Sequence, residues 1–159
     1  MPKGKKAKST GKKPISFNVE LSIRRPLHEV FAAVLYPAPF FIQEASGPLA
    51  EGRTVTWRFA EMPKGFSVQV QDVLPDKRIQ FDWPRGEGSA VNRVQFTFTP
   101  YDDRVTTVYI SESGWPATNA GREASYRNCM GWMHMACSLK AYLEYGVNLR
   151  QGSFVHMKF

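Results

Sequence analysis

The sequence predicts an α+β domain in which an antiparallel sheet of about six strands wraps around one long C-terminal helix. Two observations carry that expectation. Between Ile15 and Ile110 apolar residues recur at every second position in separate stretches, each broken by Gly, Pro or Asp. From about Gly121 the period becomes that of a helix and holds to about Asn148. At 159 residues the chain has the length of a single domain with one sizeable core.

The first stretch is the cleanest. Ile15, Phe17, Val19, Leu21 and Ile23 share one parity, and Ser16, Asn18, Glu20, Ser22 and Arg24 share the other, which is the signature of a half-buried strand. Pro26 sits where a first helical turn accepts it. Leu27, Val30, Phe31 and Val34 then recur at helical spacing, so a short helix is expected to end before Pro37. Pro37 and Pro39 leave room for a brief second helix around Phe40–Gln43.

Alternation returns after Gly52. Val55, Trp57 and Phe59 share a face, and a turn at Met62–Gly65 leads to Phe66, Val68 and Val70. Turns at Pro75–Asp76, Gly86–Gly88 and Asp102–Asp103 separate the stretches Ile79–Phe81–Trp83, Val94–Phe96–Phe98 and Val108–Ile110. Connections this short join antiparallel neighbours, because parallel strands need longer crossovers.

In the final helix Trp132, Met135, Ala136, Leu139, Tyr142, Leu143 and Val147 fall on one broad face, with Gly146 or Asn148 able to end it. His134, Lys140, Glu144 and Tyr145 fall elsewhere, and His134 is expected exposed. Upstream, the same wheel places Ser125 and Asn128 inward above Trp132. A polar start to an apolar stripe suits a pocket mouth and suits a splayed first turn equally.

The net charge of +7 is unevenly distributed. Residues 1–14 hold six lysines and no acid, which leaves 15 basic against 14 acidic residues, or +1, for the rest. The folded part is therefore nearly neutral. The stretch 1–14 has too little apolar surface to offset its ordering entropy and reads as a disordered, solubilising tail with at most weak attraction to polyanions. It lacks the apolar region of a secretory signal, and no stretch nears the roughly 20 apolar residues of a membrane span. Cys129 and Cys137, eight positions apart on one helix, are separated by roughly 12 Å. That exceeds the about 7 Å a disulfide tolerates, and it suits a reducing, cytoplasmic setting.

The order of elements resembles the helix-grip fold of START-like proteins, the SRPBCC superfamily. Particular segments narrow the resemblance: Arg25-Pro26-Leu27-His28-Glu29-Val30-Phe31, Phe81-Asp82-Trp83, Glu112-Ser113-Gly114-Trp115, Gly131-Trp132 and Tyr142-Leu143-Glu144-Tyr145-Gly146. Together they look like the bacterial single-domain relatives of the heat-shock-protein-90 ATPase activator homologue family. The resemblance covers roughly residues 15–150, the expected domain, with 1–14 and 151–159 as tails. It implies a fold and a cavity rather than a reaction. The eukaryotic activator carries an additional chaperone-contacting domain for which this chain has no length, so activation of a chaperone is not carried over. The usual family pattern has a tryptophan after the second helix, where this chain reads Phe40-Phe41-Ile42-Gln43-Glu44.

No catalytic motif stands out. His28, His134 and His156 lie in different segments without metal-ligand spacing, and nothing in the sequence calls for a cofactor or metal. Trp57-Arg58 and Trp83-Pro84-Arg85 mix aromatic and basic residues as nucleic-acid binders do, but strand parity sends both tryptophans inward. Two acids follow inward series: Glu112 after Val108 and Ile110, and Asp72 after Val68 and Val70. Either both sit at strand ends in water, or Glu112 faces a cavity with Ser125 and Asn128, where it could orient a polar head or act as acid or base. The sequence thus favours a module that binds a small, mostly apolar or amphipathic ligand between sheet and helix. Trp57, Trp83, Phe96 and Trp132 would line the cavity, with Glu112, Ser125 and Asn128 as polar anchors. The alternatives are an enzyme of the cyclase or dehydratase type using a polar group in the cavity, and a co-chaperone-like interaction module.

Overall fold

Alternation becomes strand at each place the parity indicates. The computed structural model describes residues 11–86 and 88–157; most of the expected lysine-rich tail, residues 1–10, lies outside the described residues. The elements are β1 (Ile15–Ile23), α1 (Leu27–Leu35), β2 (Glu44–Ala45), β3 (Thr54–Arg58), β4 (Phe66–Leu74), β5 (Arg78–Pro84), β6 (Val91–Pro100), β7 (Thr106–Trp115) and α2 (Asn119–Tyr145). They form one seven-stranded sheet in the order β1-β7-β6-β5-β4-β3-β2. Every pairing is antiparallel. The first strand therefore closes on the last, with Val19 opposite Ile110 and Phe17 opposite Glu112. This is the helix-grip arrangement, with α2 lying against β1 and β7.

The seventh strand and the missing second helix have one cause. After Pro37 the N–H groups of Phe40, Phe41 and Ile42 all converge on the Pro37 carbonyl, at 3.3, 2.9 and 3.3 Å, which makes a turn and not a helix. Neither Pro37 nor Pro39 can donate, and Pro39 disfavours helical backbone at Ala38. The chain is then captured by the sheet edge: Gln43 N–H bonds the Arg58 carbonyl at 2.9 Å, and Glu44 and Ala45 pair with Arg58 and Trp57. Phe40, Phe41 and Ile42 are all buried.

α2 starts on Thr118, whose hydroxyl accepts the Gly121 N–H at 3.0 Å. It stops at Gly146, which adopts φ 66°, a left-handed cap that glycine enters without steric cost. Val147, expected on the core face, lies past this cap and is half exposed. The residues beyond turn back over the helix and place Phe154 edge-on to His134, ring centroids 5.1 Å apart. His134 is consequently half-buried, contrary to its position on the wheel.

The last turn of α2 is fastened to the end of β1. The Glu144 carboxylate accepts the Arg24 backbone N–H at 2.7 Å, Arg24 Nε at 3.0 Å and Lys140 Nζ at 2.5 Å. Burial alone would raise the Glu144 pKa, but these hydrogen bonds and the Lys140 charge bring it down to about 2. Asp72 is the other departure from parity. A register shift between Val70 and Asp72 takes it off the inward series, and it pairs instead with Arg78 at 2.6 Å.

Candidate functional site

Glu112 occupies the inward position that β7 parity assigns it, and it is 0% exposed. A carboxylate so buried needs compensation. Trp83 Nε1 and Asn92 Nδ2 donate to Oε1 at 3.1 and 2.8 Å, and Trp132 Nε1 donates to Oε2 at 2.7 Å. Asn128 Nδ2 spans both oxygens at 3.2 and 3.1 Å. Every one of these bonds comes from a neutral donor. They arrive from β5, β6 and α2, so the carboxylate ties three strands to the helix at one point.

A further layer fixes the donors. Asn92 is buried, and its Oδ1 accepts from Arg85, whose guanidinium also donates to the Gly114 carbonyl. Gly114 adopts φ 115°, and a Cβ there would stand 2.8 Å from Asn92 Oδ1. The glycine in the Glu112-Ser113-Gly114-Trp115 segment is thus explained twice, by backbone conformation and by the space Asn92 fills.

Four of the sequence-predicted site residues meet in this network: Glu112, Asn128, Trp132 and Trp83. Ser125 is buried but turned away, donating to the Arg122 carbonyl at 2.7 Å. Trp57 and Phe96 belong to the aromatic packing. Trp57 meets Phe81 edge-on at 5.4 Å, and Phe96 meets Trp132 edge-on at 5.6 Å. Asn92 escaped the sequence reading, although the signal was available: it continues the inward series Val94, Phe96, Phe98 by the same parity that picked out Glu112. Among the described residues no group of three or more His, Cys, Asp or Glu could hold a metal.

Chemically the network clamps. Both carboxylate oxygens are engaged by protein donors and water has no access, so Glu112 orders the helix against the sheet. Around it the helix–sheet layer is filled by rings, with Trp132 in contact with Trp83 at 4.9 Å, Phe96 at 5.6 Å and Phe41 at 6.2 Å.

Open space lies next to this layer, on the far side of Phe41. A cleft of about 630 Å³ runs between the Pro37–Ile42 turn, Ala60–Glu61 and the segment after α2. Its walls are Phe41, Ile42, Phe154, Val155 and Met157, with Gln43, Glu61 and Arg150 among the polar lining. Arg150 pairs with Glu61. Its guanidinium lies over the rings of Phe154, Phe59 and Phe41 at 4.5, 5.1 and 5.7 Å. Sequence patterning gave no hint of this cleft, because half of it is built by a segment without periodicity.

Comparison with solved structures agrees with the fold. A protein from Staphylococcus saprophyticus superposes with a TM-score of 0.71 at 22% identity, over 86% of this chain and 96% of that one. The Aha1 dimer from Colwellia psychrerythraea gives 0.66 at 17% identity, over 87% and 99%. DynU16, from the dynemicin biosynthetic locus, gives 0.73 at 25% identity, over 84% of this chain and 48% of DynU16. No curated protein matches. The family model described as activator of Hsp90 ATPase homolog 1-like protein matches residues 24–144, which spans α1, the whole meander and nearly all of α2. The chain belongs to that family.

Proposed function

We propose that this protein binds a small, mostly apolar molecule in the cleft beside Phe41, with the packed helix–sheet layer as its inner wall. One observation carries the reading. A cleft of about 630 Å³ lies within the range of ligand sites, and its wall residue Phe41 is also in ring contact with Trp132 of the core. Behind Phe41 lies Trp132, itself in ring contact with Trp83 and Phe96, and none of these three, nor Trp57, lines the cleft itself. Glu112 and Asn128 would hold that wall in register, and Ser125 would stand behind it. We assign Glu112 a structural role, supported by its full burial and by protein N–H donors on both of its oxygens. The free Cys129 and Cys137 fit a reducing compartment, and we place the protein in the cytoplasm.

The test is occupancy of the cleft. Ala60 lines it and is exposed, so Ala60→Trp should fill space without disturbing the core. Apolar and amphipathic molecules screened by thermal shift should stabilise the wild-type protein by mass action and lose that effect in the variant. A ligand that stabilises both proteins equally would bind elsewhere and refute the site.

A further inference from the structure

Phe154 occupies the cleft wall in the way a ligand ring would. Its face lies 4.5 Å from the Arg150 guanidinium carbon, and its edge meets the His134 imidazole at 5.1 Å. It is only half-buried, and its neighbour Val155 is 83% exposed. Phe154 also lies outside every helix and strand, so moving its side chain breaks no sheet or helix hydrogen bond.

The charges of the lining pair with each other, although Arg150 Nε and the neighbouring His134 Nε2 are buried without a hydrogen-bond partner among the described residues. Arg150 and Glu61 neutralise each other. Gln43 Oε1 is engaged by Arg58, and Asn148 Oδ1 accepts the Gln151 N–H at 2.9 Å. Burial first, and then the Arg150 charge, hold His134 below the usual imidazole range. Among the described residues the lining offers no unpaired charge to replace the hydration a charged ligand would lose here. A flat ring would gain the guanidinium face.

We propose that the cleft takes a neutral, flat aromatic molecule, and that Phe154 is the chain's own stand-in for it, displaced when the ligand binds. This rests on the cleft being the binding site. Competition by a tethered ring lowers apparent affinity by the fraction of time the site is closed.

The experiment uses the full chain and two fluorescent probes that share a ring system, neutral N-phenyl-1-naphthylamine and anionic 1-anilinonaphthalene-8-sulfonate, with 1-decanol as a neutral aliphatic competitor. The neutral aromatic should bind at least about tenfold more tightly than the sulfonate. Phe154→Ala should tighten it a further three- to tenfold or so, with the thermal midpoint and circular dichroism confirming that the variant is folded. Arg150→Lys keeps the charge and loses the flat face, and should weaken the aromatic probe several-fold while leaving decanol competition unchanged. Equal binding of the two probes, or Phe154→Ala binding no tighter than wild type, overturns the proposal while the cleft reading stands. Probe binding that is indifferent to Ala60→Trp overturns the cleft itself.

Discussion

Replacing Glu112 with glutamine changes one atom and almost no volume, so its effect isolates the hydrogen-bond network from packing. In the native protein Oε1 receives three N–H groups and Oε2 two, one of the latter from the Trp132 indole at 2.7 Å. Glutamine offers one oxygen and one NH2 group. If the oxygen keeps the Oε1 place, the amide nitrogen faces Trp132 Nε1–H, and an indole cannot turn round to accept. If the amide flips, it faces Trp83 Nε1–H and Asn92 instead. Either way one or two buried donors lose their acceptor, at about 1–3 kcal/mol each. Removing the charge relieves some desolvation, but five hydrogen bonds already compensate that charge in the native state, so the loss dominates. We expect Glu112→Gln to destabilise by about 2–5 kcal/mol. Urea denaturation followed by far-ultraviolet circular dichroism measures it. Trp132→Phe removes the same donor from the other side, so the double variant should be at least about 1 kcal/mol more stable than the two single losses predict together. A Glu112→Gln protein within about 0.5 kcal/mol of wild type would refute the clamp, as would strict additivity.

Three other outcomes follow from the same geometry. Gly114→Ala forces a Cβ into the left-handed backbone at φ 115° and against Asn92 at 2.8 Å; it should lower the thermal midpoint by an amount corresponding to about 1–3 kcal/mol, and an unchanged melting curve would show that the Asn92 placement is wrong. Glu144, held at about 2 from an ordinary 4.5, contributes stability that is full above the unfolded value and is lost as pH falls from 4.5 toward 2. Glu144→Gln should therefore flatten the acid limb of the stability curve over that window, and a limb of unchanged slope would assign the acid sensitivity to other carboxylates. Glu61→Gln weakens the anchor of the segment after α2, so trypsin should cut after Arg150 several-fold faster than in wild type, and equal cleavage rates would mean that the ring contacts alone hold the segment.

The sequence located six of the seven strands and the long helix, because their periods follow from local backbone geometry: two for Ile15–Ile23 and its successors, near 3.6 for the stretch around Trp132. Parity also sent Glu112, Trp57 and Trp83 inward, and the wheel did the same for Asn128 and Trp132. What parity cannot give is the partner. The donors to Glu112 come from β5, β6 and α2, separated from it by 16 to 29 positions, and only the closed meander with the helix laid across it brings them within 3.2 Å. The turn at Pro37–Ile42 formed no helix because the sheet edge offered Gln43 and its successors a better set of partners, a competition invisible in a local window. His134 was placed outside by its own helix and covered by Phe154 from beyond it. Periodicity is a property of one segment and sets which face is apolar; burial, hydrogen-bond partners and the cleft are properties of several segments at once, and they exist only after the chain has folded.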